Sequence, residues 1–162
     1  MSLNAFLKLK GEIQGNIDGS VTQKGREKTI RVFEADHELN QPIDIVSGNL
    51  TGKRIHKPFT IVKEVDKSTP KLYKAMTGNE KFTLWECKFF QKKTSGTEVN
   101  FYTVKLTDAK IVDIKFQQPN TIDPETKIFP ENEEVSFIYK KIEWIYTEGN
   151  VSASDEIVSN IN

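Results

Sequence analysis

The chain is poor in the residues from which most catalytic and metal sites are built. Among its 162 residues there is one cysteine, Cys87, and two histidines, His37 and His56. A single thiol excludes an intramolecular disulfide framework and a cysteine-built zinc site. Two imidazoles leave little for a histidine-rich metal centre. There is no charge surplus either, because 23 lysines and arginines are balanced by 23 aspartates and glutamates. That balance argues against nucleic acid as the main partner, since such domains usually carry a basic excess or a basic face. No apolar run is long enough to span a bilayer as a helix. The opening MSLNAFLKLKGEIQG is interrupted by Lys8 and Lys10, so no cleaved secretory signal is expected and the chain is expected to be made in the cytoplasm.

What the chain does have is recurrent alternation of apolar and polar residues between turn signals, the pattern of short β-strands. Leu7, Leu9 and Ile13 alternate with Lys8, Lys10 and Glu12 in a first strand, and Ile30 and Val32 open a second. PIDIV at 42 to 46 continues that second strand after an irregular stretch, and SGNLTGKR at 47 to 54 is a polar loop. Phe59, Ile61 and Val65 share one face of the next strand, with Lys63 as the exception. A two-turn helix follows, with Thr69 as N-cap, Pro70 at its first position and Gly78 at its end. Trp85, Cys87 and Phe89 alternate, and KKTSGT turns the chain into Tyr102, Val104 and Leu106, a hairpin in which Gly96 supplies positive φ. Val112, Ile114 and Phe116 form a further strand, and the proline-bearing stretch from Gln117 to Glu134 is a long connection. Val135, Phe137 and Tyr139 share one parity and Ile142, Trp144 and Tyr146 the other, so a bulge or bend is expected at Lys140 and Lys141. These signals predict a mainly β domain over residues 1–147, a small closed antiparallel barrel with one short flanking helix, and a polar flexible tail over 148–162.

Each chemical candidate has a plainer reading beside it. His56 has no serine, cysteine or paired carboxylate in a recognised arrangement nearby in sequence, so a general-base role lacks an orienting partner. His37 with Asp36 and Glu38 suggests a metal site, yet adjacent strand residues point to opposite faces. Lys53, Arg54 and Lys57 form a basic run with no glycine-rich phosphate loop around it. Cys87, between Trp85 and Phe89, reads as a small buried hydrophobe, and Glu131, Glu133 and Glu134 read as a solvated loop. No cofactor is implied.

Four segments in order carry a resemblance. LKLKGEIQGNI opens it, GKRIHKPFTIVKEVDKSTPKLYKAMTGNE is its strongest part, FYTVKLTDAKIVDIKFQQPN continues it and EEVSFIYKKIEWIY closes it. Over roughly residues 3 to 147 the chain resembles the haemolysin-coregulated protein (Hcp) family, the tube-forming component of type VI secretion. Many relatives carry a histidine soon after the final tryptophan, where this chain has Ile145 and Tyr146. The resemblance implies a closed barrel, six copies forming a ring around a wide pore, and rings stacking into a tube. That tube is secreted with its spike out of a contractile sheath and carries effector proteins in its lumen. It also implies that the loop at about 46 to 56 reaches toward the neighbouring ring, where Lys53, Arg54 and His56 are expected to meet Glu131, Glu133 or Glu134. Two other classes compete. One is a β-barrel module holding carbohydrate or peptide on Phe89, Phe90, Phe101 and Tyr102; the other is an enzyme that uses His56.

Overall fold

A computed structural model describes residues 1–157. In chain order the strands are β1 (Ala5–Gly11), β2 (Gly15–Ile17), β3 (Ile30–Asp36), β4 (Leu39–Asn40), β5 (Ile55–His56) and β6 (Phe59–Glu64). After the helix α1 (Thr69–Thr77) come β7 (Phe82–Lys92), β8 (Glu98–Thr107), β9 (Lys110–Gln117), β10 (Asn132–Ile138), β11 (Lys141–Tyr146) and β12 (Val151–Glu156). The main sheet runs β12-β11-β8-β7-β1-β3-β6-β10-β9, with β2 beside β1, and β4 and β5 form a separate two-stranded ribbon. Every one of these ladders is antiparallel.

The core follows from strand parity. Leu7 and Leu9 of β1, Ile30 and Val32 of β3, Ile61 of β6 and Trp85 and Cys87 of β7 all turn inward and are buried. Aromatic rings fill its centre: Phe59, Trp85, Phe137 and Phe82 meet edge to face in sequence, with centroids 5.0 to 5.9 Å apart. Cys87 is buried as its alternation implies, and burial pushes its thiol well above the ordinary range.

The helix lies where expected, but its cap is shifted. Ser68 stands at the N-cap, and Thr69 sends its hydroxyl to the Glu133 carboxylate at 2.8 Å while accepting the Asp66 N–H. Leu72 and Ala75 are the buried pair of α1, which packs against β9. The KKTSGT hairpin forms as read, with Gly96 at φ 86°.

The bend expected at Lys140 and Lys141 is present at Lys140, where the chain passes from β10, paired with β6 and β9, to β11, paired with β8 and β12. Three details differ from expectation. The ladders do not close: among the described residues nothing pairs β9 with β12, and an isolated bridge between Phe82 and Ala109 is the nearest approach to closure. Residues 42 to 46 do not extend β3; they lead into an exposed arm. The expected tail from Glu148 instead carries a short 3₁₀ turn and then β12, which lies along all of β11. Backbone hydrogen bonding holds this strand, since most of its side chains are exposed. The rest of the expected tail, 158–162, lies outside the described residues.

Candidate functional site

An arm between β4 and β5 carries four exposed apolar residues, two of them, Ile45 and Val46, among the most exposed in the described residues. Its stem is the Leu39–His56 and Asn40–Ile55 pairing, followed by a bridge between Ile43 and Leu50. The tip is a tight turn. The Asp44 carboxylate accepts from the Val46 N–H and the Ser47 hydroxyl, both at 2.9 Å, and Gly48 takes φ 71°. Those bonds, the Val46 amide first, hold the Asp44 carboxyl below its ordinary range. The tip presents Ile45 and Val46 at 92% and 97% exposure, flanked by exposed Ile43 and Leu50. Isolated exposed apolar residues are ordinary, whereas these four share one hairpin and form an exposed apolar patch.

The base of the arm is tied down. Arg54 makes a bidentate pair with Asp155 of β12, and the His56 Nε2 meets the same carboxylate at 2.7 Å. The other ring nitrogen of His56 lies 2.9 Å from the Tyr139 hydroxyl, and His37 Nε2 reaches that hydroxyl from the other side at 2.6 Å. The hydrogen bonds from Arg54 hold the Asp155 carboxyl below its ordinary range. Burial, with the Asp155 charge second, pushes the Tyr139 hydroxyl up to about 12. Lys57 pairs with Glu38 at 2.8 Å across the start of the stem.

This arrangement bears on each residue singled out from sequence. Lys53, Arg54 and His56 do come together, lining a shallow hollow with Ile157. The charges of Arg54 and Lys57 are met within the chain by Asp155 and Glu38, which removes the basis for a phosphate site. His56 gains the orienting carboxylate that the sequence did not disclose. Both its nitrogens are engaged, one of them by a buried tyrosine, so the pair presents no base to a substrate. His37 turns to Tyr139 rather than joining Asp36 and Glu38, and no cluster of metal-ligating side chains occurs among the described residues. Glu131 and Glu134 are exposed, but Glu133 is fully buried and paired with Lys63. Glu133 shares the inward parity of Val135 and Phe137, which takes it off the surface where a neighbouring copy would meet it. Phe89, Phe90, Phe101 and Tyr102 are half-buried, and Phe101 and Tyr146 line an open hollow of about 500 Å³.

Asp155 and Tyr139 are the two residues of this site that sequence reasoning passed over. Parity placed Tyr139 inward but gave no sign of its two imidazole partners, and Asp155 sits in a segment without apolar alternation.

A model of the family described as "Type VI secretion system effector, Hcp" matches residues 6–146. The chain is 36% identical to the "Major exported protein" of Pseudomonas aeruginosa, over 96% of each chain. Among solved structures it is similar to a protein described as Hcp, with 32% identity and TM-score 0.91 over 99% of this chain and 100% of that one. It is also similar to the Hcp1 protein of the E. coli EAEC 042 pathovar, with 35% identity and TM-score 0.84 over 95% and 98% of the two chains. A third likeness is to the secreted protein Hcp3 of Pseudomonas aeruginosa, 30% identical with TM-score 0.76 over 98% and 100%.

Proposed function

Because the chain belongs to the Hcp family of type VI secretion proteins, we propose that it builds the secretion tube, six copies closing a ring and rings stacking through the arm at residues 39 to 56. The family match across residues 6–146 carries this reading. Two physical features support it. A ring of identical subunits needs two different complementary edges on each copy. β9 and β12, the ends of the sheet path, each lack a second strand partner within the described residues. The arm supplies a separate apolar contact that points away from the core. Cytoplasmic synthesis, passage through sheath and spike, and effectors carried in the lumen complete the proposal.

The stacking contact is apolar at the arm tip rather than a set of ion pairs. Arg54 and His56 are spent on Asp155, and Glu133 on Lys63. Glu131 and Glu134 are exposed rim charges, and an exposed ion pair is worth only about 0–1 kcal/mol. Stacking is therefore expected to persist when salt screens exposed charges. Deleting residues 48 to 53 is expected to leave rings intact and abolish longer stacks in negative-stain micrographs. Tubes of unchanged length after that deletion would refute the role given to the arm.

A further inference from the structure

We propose that the junction of the arm with β12 is a pH-sensitive latch, closed while the His37–Tyr139–His56 chain holds at most one extra proton and opened by a second. The hydrogen-bond inventory carries the inference. Asp155 is a charged acceptor, so His56 must present Nε2–H to it. With His56 neutral its Nδ1 is then an acceptor, and the Tyr139 hydroxyl donates to it. The Tyr139 oxygen in turn accepts Nε2–H from His37. Every donor has one acceptor, and the chain has a direction.

One added proton can be absorbed. If His56 holds it, the chain reverses: Nδ1–H donates to the tyrosine oxygen, and the tyrosine donates to His37 Nε2 in its other tautomer. Asp155 offsets the charge. A second proton cannot be absorbed. Both imidazoliums then donate to one oxygen, and the Tyr139 hydrogen loses its acceptor in a buried place. Two like charges also face each other across one hydroxyl.

The surrounding charges do not rescue this state. Arg54 and Lys53 lie on the arm beside His56, Lys57 is paired with Glu38, and Lys140 follows Tyr139 in the chain. Asp36 favours a charged His37, while burial first and His56 second disfavour it, with the net effect of lowering the His37 pKa below its ordinary value of 6.5. Glu156, next to Asp155, completes the charged groups of β12. The sign follows from the lowered value. The latch is closed above 6.5, and opening grows more favourable as pH falls below it, until His37 is charged in the closed state as well. Asp155 and Arg54, shifted down and up respectively, keep their charges through that range.

The latch is intramolecular, so its test does not depend on the ring reading. Amide hydrogen exchange of the full chain is to be followed in β12 and at the arm base between pH 7.5 and 5.0. Protection factors are corrected for intrinsic rates, with the β1 and β7 amides as internal reference and light scattering in parallel to record assembly. Protection of β12 is expected to fall at least several-fold at pH 5.0 relative to the reference strands. His37→Gln, which keeps a donor toward Tyr139 and cannot take the proton, is expected to abolish the fall. No relative change in the wild type, or the same fall in His37→Gln, would overturn the latch. Should that variant not fold, Asp155→Asn decides: it is expected to lower β12 protection already at pH 7.5, and wild-type protection there would count against the proposal. Loss of rings with unchanged β12 protection would bear on the assembly reading alone.

Discussion

Replacing Lys63 by methionine is expected to destabilise the fold by about 3–5 kcal/mol, the range for removing one partner of a buried ion pair. Lys63 and Glu133 are both fully buried on the facing strands β6 and β10, where they are cross-strand neighbours. The ammonium spends its three donors on Glu133, the Glu64 carbonyl at 2.8 Å and the Thr69 hydroxyl at 3.2 Å, and lies 3.1 Å from the Asp66 carboxylate. It therefore joins two strands to the first turn of α1. Glu133 already has one carboxylate oxygen without a hydrogen-bond partner among the described residues, so losing Lys63 leaves the Thr69 hydroxyl as its remaining hydrogen-bond donor there. Replacing both, Lys63→Met with Glu133→Leu, removes the two desolvated charges together and is expected to restore most of the loss. Urea unfolding at fixed protein concentration measures both variants, because assembly makes the midpoint depend on concentration. A single variant as stable as the wild type would show that the pair does not hold α1 to the sheet.

Phe137→Ala is expected to cost a comparable amount, about 3–5 kcal/mol, through the cavity it opens. The ring is fully buried on β10 and lies edge to face with Phe82 at 5.9 Å and Trp85 at 5.5 Å. Little of that volume can be recovered by collapse, because Trp85 is also held by Phe59 at 5.0 Å. Phe137→Leu, which keeps most of the volume, is expected to stay within about 1.5 kcal/mol of wild type. Tryptophan emission should shift to the red in the alanine variant as water reaches Trp85. An unchanged unfolding midpoint would mean that the aromatic cluster contributes far less than its burial implies.

How much of this was legible beforehand depends on where each signal lives. Alternation located the strands that pack on the core, such as β1 and β7, because each buries one face. Lys63 was visible as an oddity on an apolar face, and Glu133 shares the parity of Val135 and Phe137. Their pairing across 70 positions of sequence was not visible, since register between distant strands is set by the assembled sheet. β12 was missed because an exposed strand needs only a backbone partner and shows no apolar alternation. With it went Asp155, and so the reason Arg54 and His56 sit as they do. The basic run of residues 53 to 57 was recognisable as part of an arm, but its charges serve the arm's own anchor. Ile45 and Val46 of the tip read as strand in the sequence, because an apolar tip and a buried strand look alike there.

Whether this β-sheet subunit assembles is decided by the mass of the purified wild-type protein in solution. Multi-angle light scattering at neutral pH should give six times the 18.5 kDa chain, or whole multiples of that ring. A monomer persisting across the accessible concentration range would contradict assembly.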